Sequence, residues 1–174
     1  MCETKYISAF KSRGFRYTLI NTLSVIFTDI CKENDINPII NNKNISLFLT
    51  DSIQTITIND YLQRLVKYTQ VESSTLIAML IYIDRICELN NFIINSYNVY
   101  KILFSSLIIA IKYNEDEYYD NKFYAKVGGL TLKEMNNLEI NYLSLIDFKL
   151  YISEEVFDNY FENLIDAMQT LINN

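Results

Sequence analysis

SYNVYKILFSSLIIAIKY, residues 96–113, is the stretch of sequence that decides the fold of this chain. Its apolar side chains cover the whole circumference of a helix, which is typical of a helix that is buried on every side. We predict that Ser96 is the N-cap of this helix and that the helix lies at the centre of the fold. With 3 Gly and 1 Pro in 174 residues, the chain lacks the turn residues that a many-stranded β fold needs.

The other helices are predicted from hydrophobic periodicity and from capping signals. In chain order, we expect helices at 17–34, at 58–68 behind a Thr57–Asp60 cap, at 74–89, at a short segment that stops at Gly128–Gly129, behind a Thr131–Glu134 capping box, and from Ser153 onward. The chain is therefore predicted to be all-α. The chain is long enough for one compact domain with a buried core, and two full domains would be cramped.

We divide the chain into four parts on this basis. Residues 1–16 form an N-terminal tail, and residues 17–56 contain a helix and a connecting segment. Residues 57–150 form the helical core, and residues 151–174 form a C-terminal helix.

Composition narrows the range of functions. The 15 basic residues against 21 acidic ones give a net charge of -6, which disfavours nucleic acids and anionic membranes as partners. Histidine is absent, which removes the usual general base and the commonest zinc ligand. The 3 cysteines are widely separated and no apolar run has membrane-spanning length. We therefore expect an intracellular protein, in the cytoplasm or the nucleus, without disulfides.

Three groups of charged residues are candidate sites. The acidic loop at 115–120 offers carboxylates for acid–base chemistry or for a metal, but it lacks the D-x-D-x-D-G spacing of a calcium loop, so we favour a solvated loop. Asp84 interrupts an apolar helix and needs a partner if it is buried, which Arg64 on the preceding helix would supply. Lys112 and Glu139 stand beside positions that we predict to be buried, and their spacing alone favours two ordinary surface charges.

Two longer motifs resemble a known family. YLQRLVKYTQVESSTLIAMLIYIDR at 61–85 and AIKYNEDEYYDNKFYAKVGGLTLKEMNNLEINYLSLIDFKL at 110–150 are similar to the cyclin box of the P-type cyclins, which are called U-type in plants. The family pattern includes Y-L-x-R-I-x-K-Y, Y-I-D-R, A-S-K-F, Y-Y-N-N-x-x-Y-A-K-V-G-G and L-E-x-x-F-L. Here Ile111 replaces the serine before the lysine, and Asp120 replaces an asparagine. The likeness extends from about Leu47 to Phe161.

The resemblance implies a single five-helix cyclin box with one flanking helix at each end. It also implies a regulatory subunit that is not itself an enzyme. Cyclins bind a cyclin-dependent kinase and push its C-helix, the PSTAIRE helix, to the place where the kinase's own catalytic Lys and Glu can pair. We therefore expect a heterodimer with such a kinase, in cell-cycle or nutrient and phosphate signalling. We expect no cofactor, metal, catalytic residue, nucleic acid, membrane or small-molecule substrate.

The same resemblance assigns the candidate site. Lys112 and Glu139 match the charged pair of the kinase-binding groove, and Arg64 and Asp84 match an internal ion pair of the box. The apolar positions beside the groove are Tyr113, Leu143, Phe148 and Leu150.

Two alternative functions stay open. The chain would be a cyclin-box adaptor if the groove held a transcription-factor or scaffold peptide without activating a kinase. The charged pair favours the kinase over this adaptor. An enzyme is the third possibility, and it depends on the acidic loop holding a metal.

Overall fold

The structure is a computed structural model that describes Tyr6, Phe10, residues 12–36 and residues 43–173. Within residues 12–36 and 43–173 the chain forms seven α-helices, one short 3-10 helix and no strand, which confirms the prediction of an all-α fold. The helices are α1 (Arg13–Asn34), the 3-10 helix (Lys43–Phe48), α2 (Ile58–Thr69), α3 (Ser73–Asn90), α4 (Val99–Asn114), α5 (Asn121–Gly128), α6 (Leu132–Leu145) and α7 (Glu154–Asn173). None of them combines the length and the hydropathy that crossing a bilayer requires.

Local capping signals fix several helix ends. The Thr57 hydroxyl accepts a hydrogen bond from the Asp60 backbone N–H at 3.0 Å and so starts α2. Thr131 and Glu134 form the predicted capping box at the start of α6. At the end of α5, Gly129 takes a left-handed conformation with φ of 70°, which glycine adopts without steric cost. These three predictions are confirmed.

Two helix starts differ from the predictions. Helix α1 begins at Arg13, four residues earlier than predicted, because Ser12 caps it. Helix α4 begins at Val99, and Ser96 does not cap it. The backbone N–H and the hydroxyl of Ser96 instead donate to the Asp35 carboxylate, at 2.9 and 2.6 Å. These bonds tie the segment before α4 to the end of α1, and Asn98 occupies the N-cap position of α4 without a side-chain cap hydrogen bond.

Helix α4 lies at the centre of the molecule, as its sequence predicts. Every residue from Ile102 to Ile111 is buried, and the helix packs against α2, α3 and α6. Helix α1 packs across α2 and α7, and α7 also contacts α3. Helices α2 to α6 therefore form a five-helix core flanked by α1 and α7. This arrangement brings the C-terminal end of α4 against the middle of α6.

Helices α4 and α5 approach each other very closely at one point. A Cβ atom placed on Gly128 would lie 2.7 Å from the ring of Phe104, which is buried in the core. Glycine at this position therefore permits the contact between α5 and the central helix.

Candidate functional site

Lys112 and Glu139 form an ion pair between α4 and α6. Lys112 Nζ lies 2.5 Å from Glu139 Oε1, and the two side chains keep 25% and 17% of their exposure. Lys112 lies in the last turn of α4, where the helix dipole favours a positive charge. The pair is therefore formed before any partner binds, and it is withdrawn from most of the solvent.

Asn121, the first residue of α5, extends the ion pair into a network. Its Nδ2 donates to Glu139 Oε2 at 2.7 Å and to Asn136 Oδ1 at 2.8 Å. Both oxygens of Glu139 thus have a donor, one from α4 and one from α5. Asn121 is not among the site residues predicted from the sequence. The signal was present, because Asn121 matches the second asparagine of the Y-Y-N-N motif.

The turn that follows α6 has an unusual backbone. Asp147 and Phe148 both have φ of 54°, a left-handed conformation that non-glycine residues seldom adopt. Such strain persists only where the surroundings hold it in place. The side chains of α3 supply these restraints. Asn90 donates to the carbonyl of Leu145, Arg85 to that of Lys149 and Tyr82 to that of Leu150, at 2.9, 2.6 and 2.8 Å.

The restrained turn presents an aromatic side chain to solvent. Phe148 is 67% exposed, while its backbone N–H donates to the carbonyl of Leu143 on α6. Leu143 follows Glu139 by one helical turn and so lies on the same face of α6. Tyr113, directly after Lys112, is 51% exposed.

The predicted apolar site residues thus divide into two kinds. Tyr113 and Phe148 are exposed, whereas Leu143 and Leu150 are half-buried and pack against the core. Ile140 and Tyr151 are also exposed and adjoin predicted site residues in the sequence. Neither residue is among the predicted site residues. Their exposure is a property of the packed structure that the motif alone does not reveal.

The predicted ion pair between Arg64 and Asp84 is not formed. Arg64 is exposed on α2, where it lies near Tyr61, and the carboxylate of Asp84 accepts a hydrogen bond from the Tyr160 hydroxyl at 2.8 Å. The physical reason is the packing, because the part of α3 that carries Asp84 meets α7. Burial raises the pKa of the Asp84 carboxyl, and the hydrogen bond from Tyr160 opposes this rise.

The acidic loop has structural roles at both of its ends. The Glu115 carboxylate accepts a hydrogen bond from the Glu72 backbone N–H at 2.9 Å, and Asp120 caps α5. Burial raises the pKa of the Glu115 carboxyl. Within the described ranges, no group of three or more acidic or cysteine side chains is arranged to hold a metal ion. The loop lines one wall of an open groove of about 1330 Å³ that also contacts the α2–α3 turn and the start of α7.

Comparison with known proteins identifies relatives over most of the chain. A sequence model of the family described as Cyclin matches residues 15–150. Cyclin-U4-1 of Arabidopsis thaliana is 36% identical over 156 residues, which are 88% of this chain and 77% of that protein. Cyclin-U2-1 of the same plant is 42% identical over 109 residues, 62% of this chain and 49% of that protein. PHO85 cyclin-7 of Saccharomyces cerevisiae is 34% identical over 125 residues, 65% of this chain and 44% of that protein.

The chain spans about three quarters of the length of the first of these relatives and about half of the other two. The family match includes helices α2 to α6, the ion pair of Lys112 and Glu139, and the restrained turn. The observed five-helix core with its flanking helices agrees with this match. The chain belongs to the cyclin family.

Proposed function

We propose that this chain is a P-type cyclin, U-type in plant terms, that binds a cyclin-dependent kinase and activates it by positioning the kinase C-helix. Membership of the cyclin family supports the proposal, as do the names of the relatives, which are plant U cyclins and yeast PHO85 cyclins. The proposed partner is a kinase similar to PHO85, the name that the yeast relatives carry. On this proposal the chain is an intracellular regulatory subunit without a catalytic residue, and it acts in cell-cycle or nutrient and phosphate signalling.

The ion pair of Lys112 and Glu139 is the observation that carries this proposal. Within the described part of the chain, Lys112 Nζ makes one hydrogen bond, to Glu139. An ammonium group has three N–H donors, so two stay available for an incoming partner. The end of a helix exposes carbonyl groups that lack partners within the helix. A docked kinase helix would therefore offer acceptors that match the donors of Lys112.

Two exposed aromatic side chains supply the apolar contacts that such an interface needs. Tyr113 directly follows Lys112 in the chain, and the backbone N–H of Phe148 is bonded to the carbonyl of Leu143, one helical turn after Glu139. Aromatic anchors beside a desolvated polar pair are typical of interface hot spots. The restrained turn fixes the backbone of Phe148 in advance, so little conformational entropy is lost at this residue when a partner binds.

Activation follows from binding one position of the kinase C-helix better than another. A kinase whose C-helix has two positions shifts toward the one that the cyclin binds more tightly. The active position is the one in which the kinase's catalytic Lys and Glu pair. The cyclin contributes a preformed surface, and the kinase contributes all of the chemistry.

A capture experiment tests the proposal. The wild-type chain and the variant Lys112→Ala, Glu139→Ala are used as baits in an extract of the cells that produce the protein, followed by mass spectrometry and a protein kinase assay. The control variant is Lys32→Ala, Asp29→Ala, which removes an exposed ion pair from α1.

The proposal predicts that the wild type and the control capture a cyclin-dependent kinase together with its activity, and that the site variant captures neither. Capture of the kinase by all three baits would refute the assignment of the groove. Capture of a kinase that stays inactive, or of a non-kinase partner that depends on the charged pair, would favour the adaptor.

A further inference from the structure

Asn121, the first residue of α5, contacts the charged pair through its side-chain amide, and the identity of its neighbours fixes the orientation of that amide. Its Nδ2 is 2.7 Å from Glu139 Oε2 and 2.8 Å from Asn136 Oδ1. A carboxylate at neutral pH only accepts hydrogen bonds, so the amide nitrogen must face Glu139. Both protons of the amide group are then used, one by each acceptor.

The carbonyl oxygen of the Asn121 side chain does not take part in this network. Asn121 Oδ1 is buried and has no hydrogen-bond partner within the described residues. A buried acceptor without a partner costs free energy. The start of α5 does not require this asparagine either, because the side chain of Asp120 caps the helix. The two N–H donors are what the side chain contributes at this position.

These donors restrict the position of Glu139. Its Oε1 contacts Lys112 and its Oε2 contacts Asn121, so a rotation of the carboxylate loses at least one hydrogen bond. A glutamate held at one oxygen only would keep rotamer freedom that a partner must remove on binding.

We propose that Asn121 is a positioning residue for the partner-binding site. It holds the Glu139 carboxylate so that Glu139 and Lys112 meet an incoming kinase C-helix in a single geometry. This inference rests on the function proposed above. It adds a residue from α5 to a site whose charged members come from α4 and α6.

An exchange of the two hydrogen-bonding groups tests the inference. The variants are Asn121→Asp, Glu139→Gln and the double variant with both changes. For each variant, the dissociation constant is measured with purified PHO85 of Saccharomyces cerevisiae, which appears in the name of one relative. Thermal unfolding gives the folded fraction of each variant, and the dissociation constants are calculated from the concentration of folded protein.

The single variants should weaken binding by about 10-fold or more, which is the range for a hydrogen bond to a charged group. Asn121→Asp places two carboxylates together, and Glu139→Gln removes the charge beside Lys112. The double variant keeps the total charge, and the amide at position 139 can accept from Lys112 and donate to the carboxylate at position 121. It should therefore bind more tightly than either single variant.

The matched control is Asn137→Asp, which makes the same chemical change at an exposed position of α6. It should change the affinity by about 2-fold at most, as is usual for surface substitutions. A double variant that binds no better than the single variants would overturn the inference, even if the wild type binds the kinase.

A second measurement uses the chain without a kinase. The side-chain amide protons of Asn121 should exchange slowly with water in the wild type, as followed by nuclear magnetic resonance, and faster in Glu139→Ala. Rapid exchange in the wild type would overturn the positioning role. Failure of the wild type to bind PHO85 would count against the proposed partner and would leave this second measurement to decide on Asn121.

Discussion

Replacing Lys112 with alanine is the most direct test of the site. In the free chain, the lysine ammonium group lies 2.5 Å from Glu139 Oε1, and most of both side chains is buried. The change leaves the Glu139 carboxylate with the neutral Asn121 amide as its donor. A pair that is about three quarters buried lies between the exposed and the fully buried cases, so we expect a loss of about 1–3 kcal/mol in unfolding free energy.

The loss in kinase binding should be larger than the loss in stability. A docked helix removes the remaining water, so the unpaired carboxylate is then fully desolvated. Truncating one partner of a buried, hydrogen-bonded charge pair at an interface costs about 2–5 kcal/mol, which corresponds to roughly a 30-fold to several-thousand-fold weaker complex.

The assay is a titration of the purified chain against the kinase captured from the cell extract, with Lys32→Ala as the matched control. Lys32 pairs with Asp29 at 2.9 Å, but these two side chains are 71% and 59% exposed. The control should therefore change the unfolding free energy and the binding free energy by less than about 1 kcal/mol each. The double variant Lys112→Ala, Glu139→Ala should cost less than the two single changes together, because it leaves no unpaired charge.

Equal binding by Lys112→Ala and by the control would refute this reasoning. So would additive losses in the double variant, because additivity would mean that the two charges act independently.

Three further outcomes are expected. Phe148→Ala should weaken kinase binding by about 10-fold or more and leave the urea midpoint unchanged, because the ring is exposed in the free chain; unchanged affinity would exclude it as an anchor. Gly128→Ala should lower the unfolding free energy by about 1–3 kcal/mol in urea titrations, because the new methyl group would overlap the buried ring of Phe104; a neutral result would mean that the ring can move. Tyr160→Phe removes the hydrogen-bond donor of Asp84 and should cost about 1–3 kcal/mol at pH 7, as measured by urea unfolding. Burial raises the pKa of Asp84 in the folded chain above its ordinary 3.8, so the contribution of this carboxyl to stability falls as the pH rises from 3.8 through the folded-state pKa. Below pH 3.8 the carboxyl is neutral in the folded and the unfolded chain, and the loss caused by Tyr160→Phe should be smaller there. A loss that is independent of pH would contradict the hydrogen bond between Tyr160 and the ionised Asp84.

Some features of the site were predictable because their signals are local or belong to a long motif. The motif around Lys112 and the one around Glu139 identified the two residues, and the structure places them in contact. The apolar positions Tyr113 and Phe148 followed from the same motifs. Their assignment to kinase binding stays a prediction.

Other features depended on which helices pack together. Order along the chain suggested that α2 would supply the partner of Asp84, but the partner is Tyr160 on α7, 76 residues away in sequence. The contacts of Tyr82 and Arg85 with the turn after α6 also join residues that are distant in sequence. Periodicity shows that a polar group interrupts an apolar face, but it does not say which helix lies opposite.

The sequence by itself determined the helices, the burial of α4 and the family, because caps, hydrophobic periodicity and motifs act over short stretches of chain. Only the tertiary structure decided the partner of Asp84, the restraint of the turn at Phe148 and the hydrogen bond from Asn121 to Glu139. Each of these depends on hydrogen bonds between separate elements of the fold, and such bonds exist only after packing has brought donor and acceptor within about 3 Å of each other.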